Sequence, residues 1–230
     1  MYDALLQRPA LVTAVVVSAG YEAGETAQQR RLRAALSISS FRCSDRTFST
    51  FSTLDSPEGI LAVAKQPHWN EELVLAQPSL FGVYGEHLQD PANVGAIIRT
   101  AAALNVDALW LTPESADVYN PKVVRASAGA LLSLPIFVAE DVGRLTAKGM
   151  VVFAAEAGGG EAIQLETIRI VPKRLVVAVG NESRGLSAHT IKLAACRFTI
   201  PLSRHVESLN VAASVAIALH YLRRVEAFSL

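Results

Sequence analysis

From residue 80 onward, short apolar runs alternate with segments of helical periodicity. The runs that we interpret as strands are 80–84, 108–112, 136–139, 150–155 and 175–179, and the segments that we interpret as helices are 92–104, 123–132 and 208–224. Continuously apolar strands joined by helices indicate a parallel sheet that is covered on both faces. The predicted fold class is therefore α/β, with a mostly parallel sheet and helices on both faces.

The first 76 residues have a different pattern, that of a small α+β domain. The predicted elements are helices at 2–7 and 26–36 and strands at 12–17 and 59–64, with a Ser/Thr-rich stretch at 37–56 between them. Prolines at positions 67 and 78 interrupt the pattern and indicate a linker. We therefore predict two domains, 1–76 and 77–230.

Composition narrows the classes of protein to which the chain can belong. Hydrophobic residues make up 51% of the sequence and charged residues 18%, which is typical of an ordered globular protein. The 21 basic and 21 acidic residues balance, so any contact with a polyanion must come from local clusters of charge. The apolar run 10–17 is much shorter than the ~18 residues that cross a bilayer.

Cysteine and histidine usage argues against a disulfide framework and against a metal site. Cys43 and Cys196 are the only cysteines, which fits a reducing cytoplasm. The five histidines share no spacing typical of metal ligands. We predict a cytoplasmic protein without a bound metal.

Three polar segments that contain glycine or proline are placed where ligands bind in such a fold. In open parallel sheets the ligand lies beyond the carboxyl ends of the strands. The segments are 90–99 (DPANVGAIIR), 180–187 (GNESRGLS) and 200–211 (IPLSRHVESLNV). We therefore expect the binding and catalytic residues to lie in these three segments.

The first segment has the pattern of a helix N-terminus. Asp90 and Pro91 supply an N-cap acceptor and a first-turn proline. Asn93 and Gly95 then fall in the first turns, where free N–H groups can meet a polar ligand. Arg99 follows four residues after Gly95, on the face that we expect the glycine to leave open. A capped amphipathic helix with a surface arginine is the alternative.

The second and third segments each contain a residue that a purely structural role leaves unexplained. Gly180 and Gly185 suit a tightly bent loop around a cofactor, whereas an ordinary turn with Ser187 as the next N-cap leaves Asn181 and Glu182 unexplained. Ser208 is expected to cap the final helix. An amide in the first turn of that apolar helix, Asn210, needs a partner.

In this order and at this spacing, the three segments resemble the motifs of the SpoU (TrmH) family of RNA ribose 2′-O-methyltransferases, a branch of the knotted SPOUT superfamily. The resemblance covers about 80–224 and implies S-adenosyl-L-methionine (AdoMet) as cofactor, a homodimer and a C-terminal trefoil knot. It implies that the catalytic residues are Asn93, Arg99, Glu182, Ser208 and Asn210. It implies that the cofactor-binding residues are Ala155, Gly180, Gly185, Ile200 and Leu209.

Two points depart from a simple transfer of the family pattern. The family gives the deprotonating role to the residue that matches Arg99, but a guanidinium is effectively always protonated. Its role stays open between base and electrostatic stabiliser.

Arg204 stands where the family usually has glycine, so we expect a different loop path or a contact with RNA phosphate. The glycines at 158–160 are interpreted as a flexible turn beside the cofactor.

Predicted RNA contacts are clusters of cations. They are Arg30, Arg31, Arg33, Lys122, Arg125 and Arg184. The alternative for the first three is a solvated helix face. The segment 56–63 resembles the end of a ribosomal-protein-like RNA-binding domain, which indicates a shortened module of that kind and favours ribosomal RNA as substrate.

The sequence thus predicts transfer of a methyl group from AdoMet to a ribose 2′-hydroxyl of structured RNA. Three alternatives stay open: a methyltransferase that acts on tRNA, a non-catalytic RNA-binding relative, and an unrelated doubly wound enzyme with a nucleotide cofactor.

Overall fold

The computed structural model describes residues 8–35, 38–52, 56–157, 161–203, 206 and 208–228. The chain forms two compact units, Met1–His68 and Trp69–Leu230. The division falls inside the linker expected at 67–78, eight residues before the expected domain boundary. Residues 69–76 belong with the second unit because Val74 and Leu75 are buried in its core. The helix expected at 2–7 and the glycines at 158–160 lie outside the described residues.

The first unit contains a three-stranded sheet. In chain order its described elements are a 3₁₀ turn Pro9–Leu11, β1 Val12–Ser18, α1 Ala19–Gly24, α2 Ala27–Ala35, β2 Ser39–Cys43, α3 Asp45–Phe51 and β3 Ile60–Ala64. β1 lies in the centre, parallel to β2 and antiparallel to β3. The structure confirms the predicted strands at 12–17 and 59–64, and α2 lies within the range 26–36 predicted as helix. The Ser/Thr-rich stretch, for which no element was predicted, contains β2 and α3.

The second unit is built on a seven-stranded sheet. Its elements are α4 Glu71–Leu75, β4 Leu80–Gly85, α5 Pro91–Ala103, β5 Ala108–Leu111, α6 Pro121–Ala126, a 3₁₀ turn Ala130–Leu132, β6 Ile136–Val138, α7 Gly143–Ala147, β7 Val151–Ala155, β8 Ile163–Gln164, a 3₁₀ turn Leu165–Thr167, β9 Ile170–Pro172, β10 Arg174–Val179, α8 Ala188–Leu193, β11 Cys196–Thr199, α9 Val211–Leu222 and β12 Glu226–Phe228. The strand order is β6-β5-β4-β10-β7-β11-β8, and β9 pairs separately with β12.

Helices cover both faces of this sheet, as the α/β prediction requires. Every pairing within the seven strands is parallel. One core contains side chains of α5 and α9, such as Ile98 and Leu219, and the other contains side chains of α4 and α7, such as Leu75 and Leu145. All six residues of β4 are buried, because the strand is central and covered on both sides. This explains why the central strands are continuous apolar runs.

Two helix boundaries differ from the prediction. The helix expected at 123–132 is wrong: α6 ends at Ala126 because Ala128 and Gly129 adopt positive φ angles of 49° and 90°. The final helix begins at Val211, and its N-cap is Asn210 instead of Ser208. Among the described residues no helix is both long and apolar enough to cross a membrane.

The strand order brings the three predicted segments to one edge of the sheet. β4 and β10 are neighbours, and β7 and β11 follow beyond β10. Because all four strands are parallel, their carboxyl ends lie side by side. The residues that follow these strands therefore share one edge of the sheet, where a ligand site is expected.

Candidate functional site

A chain of side-chain hydrogen bonds joins the three segments. Asn93 Nδ2 donates to Glu182 Oε1 at 2.6 Å, and Asn210 Nδ2 donates to Asn93 Oδ1 at 2.8 Å. Asn210 Oδ1 in turn accepts from the backbone N–H groups of Ala212 and Ala213. Because Oδ1 of Asn210 accepts the capping bonds of α9, its Nδ2 must donate to Asn93. The hydrogen bonds therefore run from Asn210 through Asn93 to Glu182. This arrangement supplies the partner that the sequence required for Asn210.

Local helix chemistry places Asn93 at the centre of this chain. The Asp90 side chain caps α5 by accepting from Ala92 N at 2.9 Å, and Pro91 occupies the first turn. Both features were predicted. Asn93 is only 8% exposed, so its amide needs partners within the protein. A buried amide that bridges a carboxylate and a second amide holds both in one orientation.

The segment 180–187 is a tight loop, as its glycines predicted. Asn181 and Gly185 form an antiparallel bridge, with Gly185 N donating to Asn181 O at 2.8 Å. A Cβ at Gly180 would lie closer than 3.0 Å to the backbone of Gly185, and Gly185 itself has a φ of +67°. Glycine is therefore required at both positions, at the first by close backbone approach and at the second by conformation.

The sequence did not indicate the role of Asn181. Its Nδ2 donates to the carbonyl of His87 at 2.9 Å, and its Oδ1 accepts from the N–H groups of Ser183 and Arg184. One side chain thus folds the loop and attaches it to the residues after β4. The sequence indicated only that an ordinary turn leaves Asn181 unexplained.

A pocket opens beside this loop at the carboxyl ends of β7, β10 and β11. The lining residues are Ala155, Glu156, Ala157, Val179, Gly180, Asn181, Glu182, Gly185, Phe198, Thr199, Ile200, Leu202, Ser208, Leu209, Val211 and Ser214. The pocket brings together every residue that was predicted to bind the cofactor, together with two of the predicted catalytic residues. Arg204 and His205 lie outside the described residues.

A second carboxylate at the pocket, Glu156, is neutralised by an arginine of β11. Arg197 forms a bidentate pair with Glu156, with both N···O distances at 3.0 Å, and also contacts Glu161 at 2.8 Å. The hydrogen bond with Glu156 raises the pKa of the Arg197 guanidinium. Because this charge is already paired, Glu182 is the acid that the pocket leaves with a free oxygen among the described side chains.

Arg99 is exposed on α5 and forms no hydrogen bond or ion pair with any residue in the described part of the chain. The expectation that Gly95 leaves an open face beside it is wrong. Gly95 is buried against α6, where an added Cβ would lie 2.8 Å from Val123 O and closer still to Ala126. The glycine permits close helix packing. Six helical residues place Arg99 about 120° around the axis from Asn93.

Comparison with known proteins agrees with this geometry. The sequence model of the SpoU rRNA Methylase family matches residues 81–220. The chain belongs to the SpoU family. An uncharacterized tRNA/rRNA methyltransferase of Synechocystis sp. is 33% identical to this SpoU chain over 195 residues, which are 83% of this chain and 69% of that protein. The 23S rRNA (guanosine(2553)-2′-O)-methyltransferase RlmP of Bacillus subtilis is 31% identical over 193 residues, 81% and 73% of the two proteins.

A solved structure shares the fold of this SpoU protein over nearly its whole length. The AdoMet-bound rRNA methyltransferase from Sinorhizobium meliloti superposes with a TM-score of 0.79 at 25% identity. The alignment covers 96% of this chain and 84% of that one. The similarity therefore extends beyond the residues that the family model matches.

The predicted RNA contacts of the SpoU chain fall into two groups. Arg33 forms a bidentate pair with the buried carboxylate of Glu25, and Arg30 lies 3.7 Å from the same carboxylate. Hydrogen bonding to Arg33 lowers the pKa of Glu25. Both arginines thus stabilise the first unit. The other predicted contacts, Arg31, Lys122, Arg125 and Arg184, have exposed side chains.

Asn93→Ala is predicted to weaken both the site and the fold. It leaves Asn210 Nδ2 without its acceptor and Glu182 without its donor, so we expect a loss of about 1–3 kcal/mol in the free energy of unfolding. We expect kcat to fall about tenfold or more because Glu182 is no longer oriented. Steady-state kinetics and thermal unfolding measure both.

Asn70→Ala is the matched control for this variant. Asn70 caps α4 by accepting from Leu73 N at 3.2 Å, away from the pocket. Its loss should cost about 1 kcal/mol and leave kcat unchanged. Equal kcat values for the two variants would remove Asn93 from the site.

Proposed function

We propose that this protein transfers the methyl group of AdoMet to a ribose 2′-hydroxyl of RNA, and that ribosomal RNA is its substrate. The observation that carries the proposal is the hydrogen-bonded chain Glu182–Asn93–Asn210 beside a pocket lined by all the predicted cofactor residues. Family membership supports it, as do the rRNA 2′-O-methyltransferase named in Bacillus subtilis and the AdoMet bound to the Sinorhizobium meliloti structure.

The residues of the pocket fit AdoMet. Ile200 and Leu209 offer apolar surface for an adenine ring. Gly180 lets the backbone of Gly185 and Leu186 pack directly against it, which shapes this wall of the pocket. Glu182 adds a carboxylate beside these groups, which suits the positive charge of a sulfonium compound.

AdoMet supplies an activated methyl group, so the protein has to hold the 2′-oxygen in line with that methyl and take up its proton. In our proposal Asn93 holds Glu182 through one oxygen, and the other oxygen of Glu182 is available to the substrate. Ser208, at the pocket rim, adds a hydroxyl for the ribose. Arg99 either supplies a positive charge for the developing alkoxide, with the proton passing to the free oxygen of Glu182 or to solvent, or accepts that proton itself as a neutral guanidine.

Arg99 also supports a homodimer. It leaves α5 on a different side from Asn93, and Ile217 on α9 is 41% exposed although it is aliphatic. We infer that α5 and α9 contribute to a subunit interface and that Arg99 acts there. The C-terminal trefoil knot is inferred from membership in the family. Light scattering coupled to gel filtration tests the dimer, because a monomer at micromolar concentration would contradict it.

We propose that the first unit helps to recognise RNA. With Arg30 and Arg33 paired to Glu25, Arg31 is the cation of that cluster that is exposed without an ion pair among the described residues. Lys122, Arg125 and Arg184 are the proposed contacts of the catalytic unit. A ribosomal substrate and free cysteines agree with a cytoplasmic location.

Calorimetric titration with S-adenosylhomocysteine, ATP and NAD tests the cofactor. We expect binding of S-adenosylhomocysteine alone, and the absence of that binding would overturn the proposal. Mapping ribose methylation in rRNA and tRNA from cells with and without the gene tests the substrate. If cells without the gene lack a methyl group in tRNA, the substrate is tRNA. If they lack none, the result favours a non-catalytic relative.

A further inference from the structure

Glu86 follows directly after β4 and is a buried acid, 6% exposed. Its Oε2 accepts from Ser187 N at 2.7 Å, and its Oε1 accepts from Ser187 Oγ at 2.8 Å and from Thr190 Oγ1 at 2.9 Å. Its own N–H donates to Val179 O at 2.9 Å, which extends the pairing of β4 with β10. No basic side chain pairs with it in the part of the chain that the structure describes.

Capping of α8 does not explain a carboxylate at this position. Ser187 already caps the helix by accepting from Thr190 N at 3.2 Å. Burying a charged carboxylate carries a free-energy cost that only a full set of hydrogen bonds offsets. All three donors to Glu86 belong to the last residue of the 180–187 loop or to the first turn of α8. Glu86 therefore determines the position of the 180–187 loop.

Glu86 and His87 together hold both ends of this loop. At its start, Asn181 Nδ2 donates to His87 O at 2.9 Å, and at its end Ser187 donates twice to Glu86. Glu182 lies between these two attachments and reaches Asn93, six residues after His87. The loop that lines the pocket is thus fastened to the segment that leads into α5.

We propose that Glu86 is a positioning residue for methyl transfer. It keeps the 180–187 loop against the end of β4, so that Glu182 meets Asn93 while Gly180 and Gly185 line the pocket. The proposal rests on the proposed function for its catalytic consequence. The loop attachment itself is independent of that function.

Glu86→Gln tests the proposal with almost no change in size. The glutamine amide has an NH2 group in place of one carboxylate oxygen. Since the groups around Glu86 all donate to it, at least one of the three hydrogen bonds is lost. We expect kcat to fall about 10- to 100-fold, because small misplacements of catalytic groups have effects of this size. We expect weaker binding of S-adenosylhomocysteine and an unchanged KM for RNA.

Hydrogen exchange provides a readout that needs neither cofactor nor RNA. In Glu86→Gln, peptides covering 180–190 should exchange about tenfold faster or more, and peptides of β4 and β10 at the wild-type rate. Glu140→Gln is the matched control, since Glu140 is exposed and has no hydrogen bond or ion pair with the described residues. Thr190→Val, which removes one buried donor, should show the same pattern with a smaller change.

The outcomes separate this proposal from the proposed function. Wild-type exchange rates in the loop of both Glu86→Gln and Thr190→Val would overturn the role of Glu86, whatever the wild type binds. The same holds if exchange rises equally in all peptides, because Glu86 would then serve general stability. If the wild type does not bind S-adenosylhomocysteine, the proposed function fails. The exchange rates then still show whether Glu86 holds the 180–187 loop in place.

Discussion

Arg99→Ala is expected to lower kcat by about a hundredfold or more, the size of effect seen when a group that stabilises transition-state charge is removed. Arg99 makes no hydrogen bond or ion pair within the described residues and does not line the pocket. Its loss should therefore change the free energy of unfolding and the affinity for S-adenosylhomocysteine only slightly, within about 0.5 kcal/mol.

Single-turnover methyl incorporation, calorimetric titration and thermal unfolding measure these three quantities separately. Arg46→Ala is the matched control, because Arg46 is likewise exposed and unpaired within the described parts of the chain. Arg99→Lys distinguishes the two roles that stay open for Arg99. An electrostatic role predicts that lysine restores part of kcat without a new step in the pH–rate profile. Near-normal turnover of Arg99→Ala would remove the residue from the mechanism.

The central strands were predictable because burial on both faces leaves a simple pattern. β4, β5, β7 and β10 are apolar at almost every position, and each was predicted. The edge strand β2 lacks this signal. All of β2 except its last residue is exposed, so its sequence, SSFRC, resembles a loop. The helix expected at 123–132 contains good helix formers, but Ala128 and Gly129 adopt positive φ angles, which hydrophobic periodicity does not report.

The site was predictable as a set of residues and not as a network. The motifs identified Asn93, Glu182 and Asn210, but the hydrogen bonds between them join residues 89 and 117 positions apart. The role predicted for Gly95 was wrong, because the sequence does not distinguish a glycine beside a ligand from a glycine beside another helix. Glu86 was missed because an acid after an apolar strand is typical of a solvated turn.

Gly180→Ala is expected to abolish binding of S-adenosylhomocysteine at concentrations that saturate the wild type. The new Cβ would lie closer than 3.0 Å to the carbonyl carbon and oxygen of Gly185 and to the N of Leu186. These are backbone atoms of a loop fixed by its bridge to Asn181, so no flexible side chain can move aside. The bridge must open, and overpacking of this kind costs about 1–3 kcal/mol.

Gly149→Ala separates the loss of the pocket from the loss of stability. Gly149 has a φ of +80° and only Arg174 Nε within 4 Å of an added Cβ, and it lies outside the pocket. Left-handed strain should destabilise this variant by about 1–2 kcal/mol, close to the effect expected for Gly180→Ala. Equal stability with unequal affinity would show that the bridge between Asn181 and Gly185 shapes the cofactor site. If both variants bind like the wild type, the loop is not part of that site.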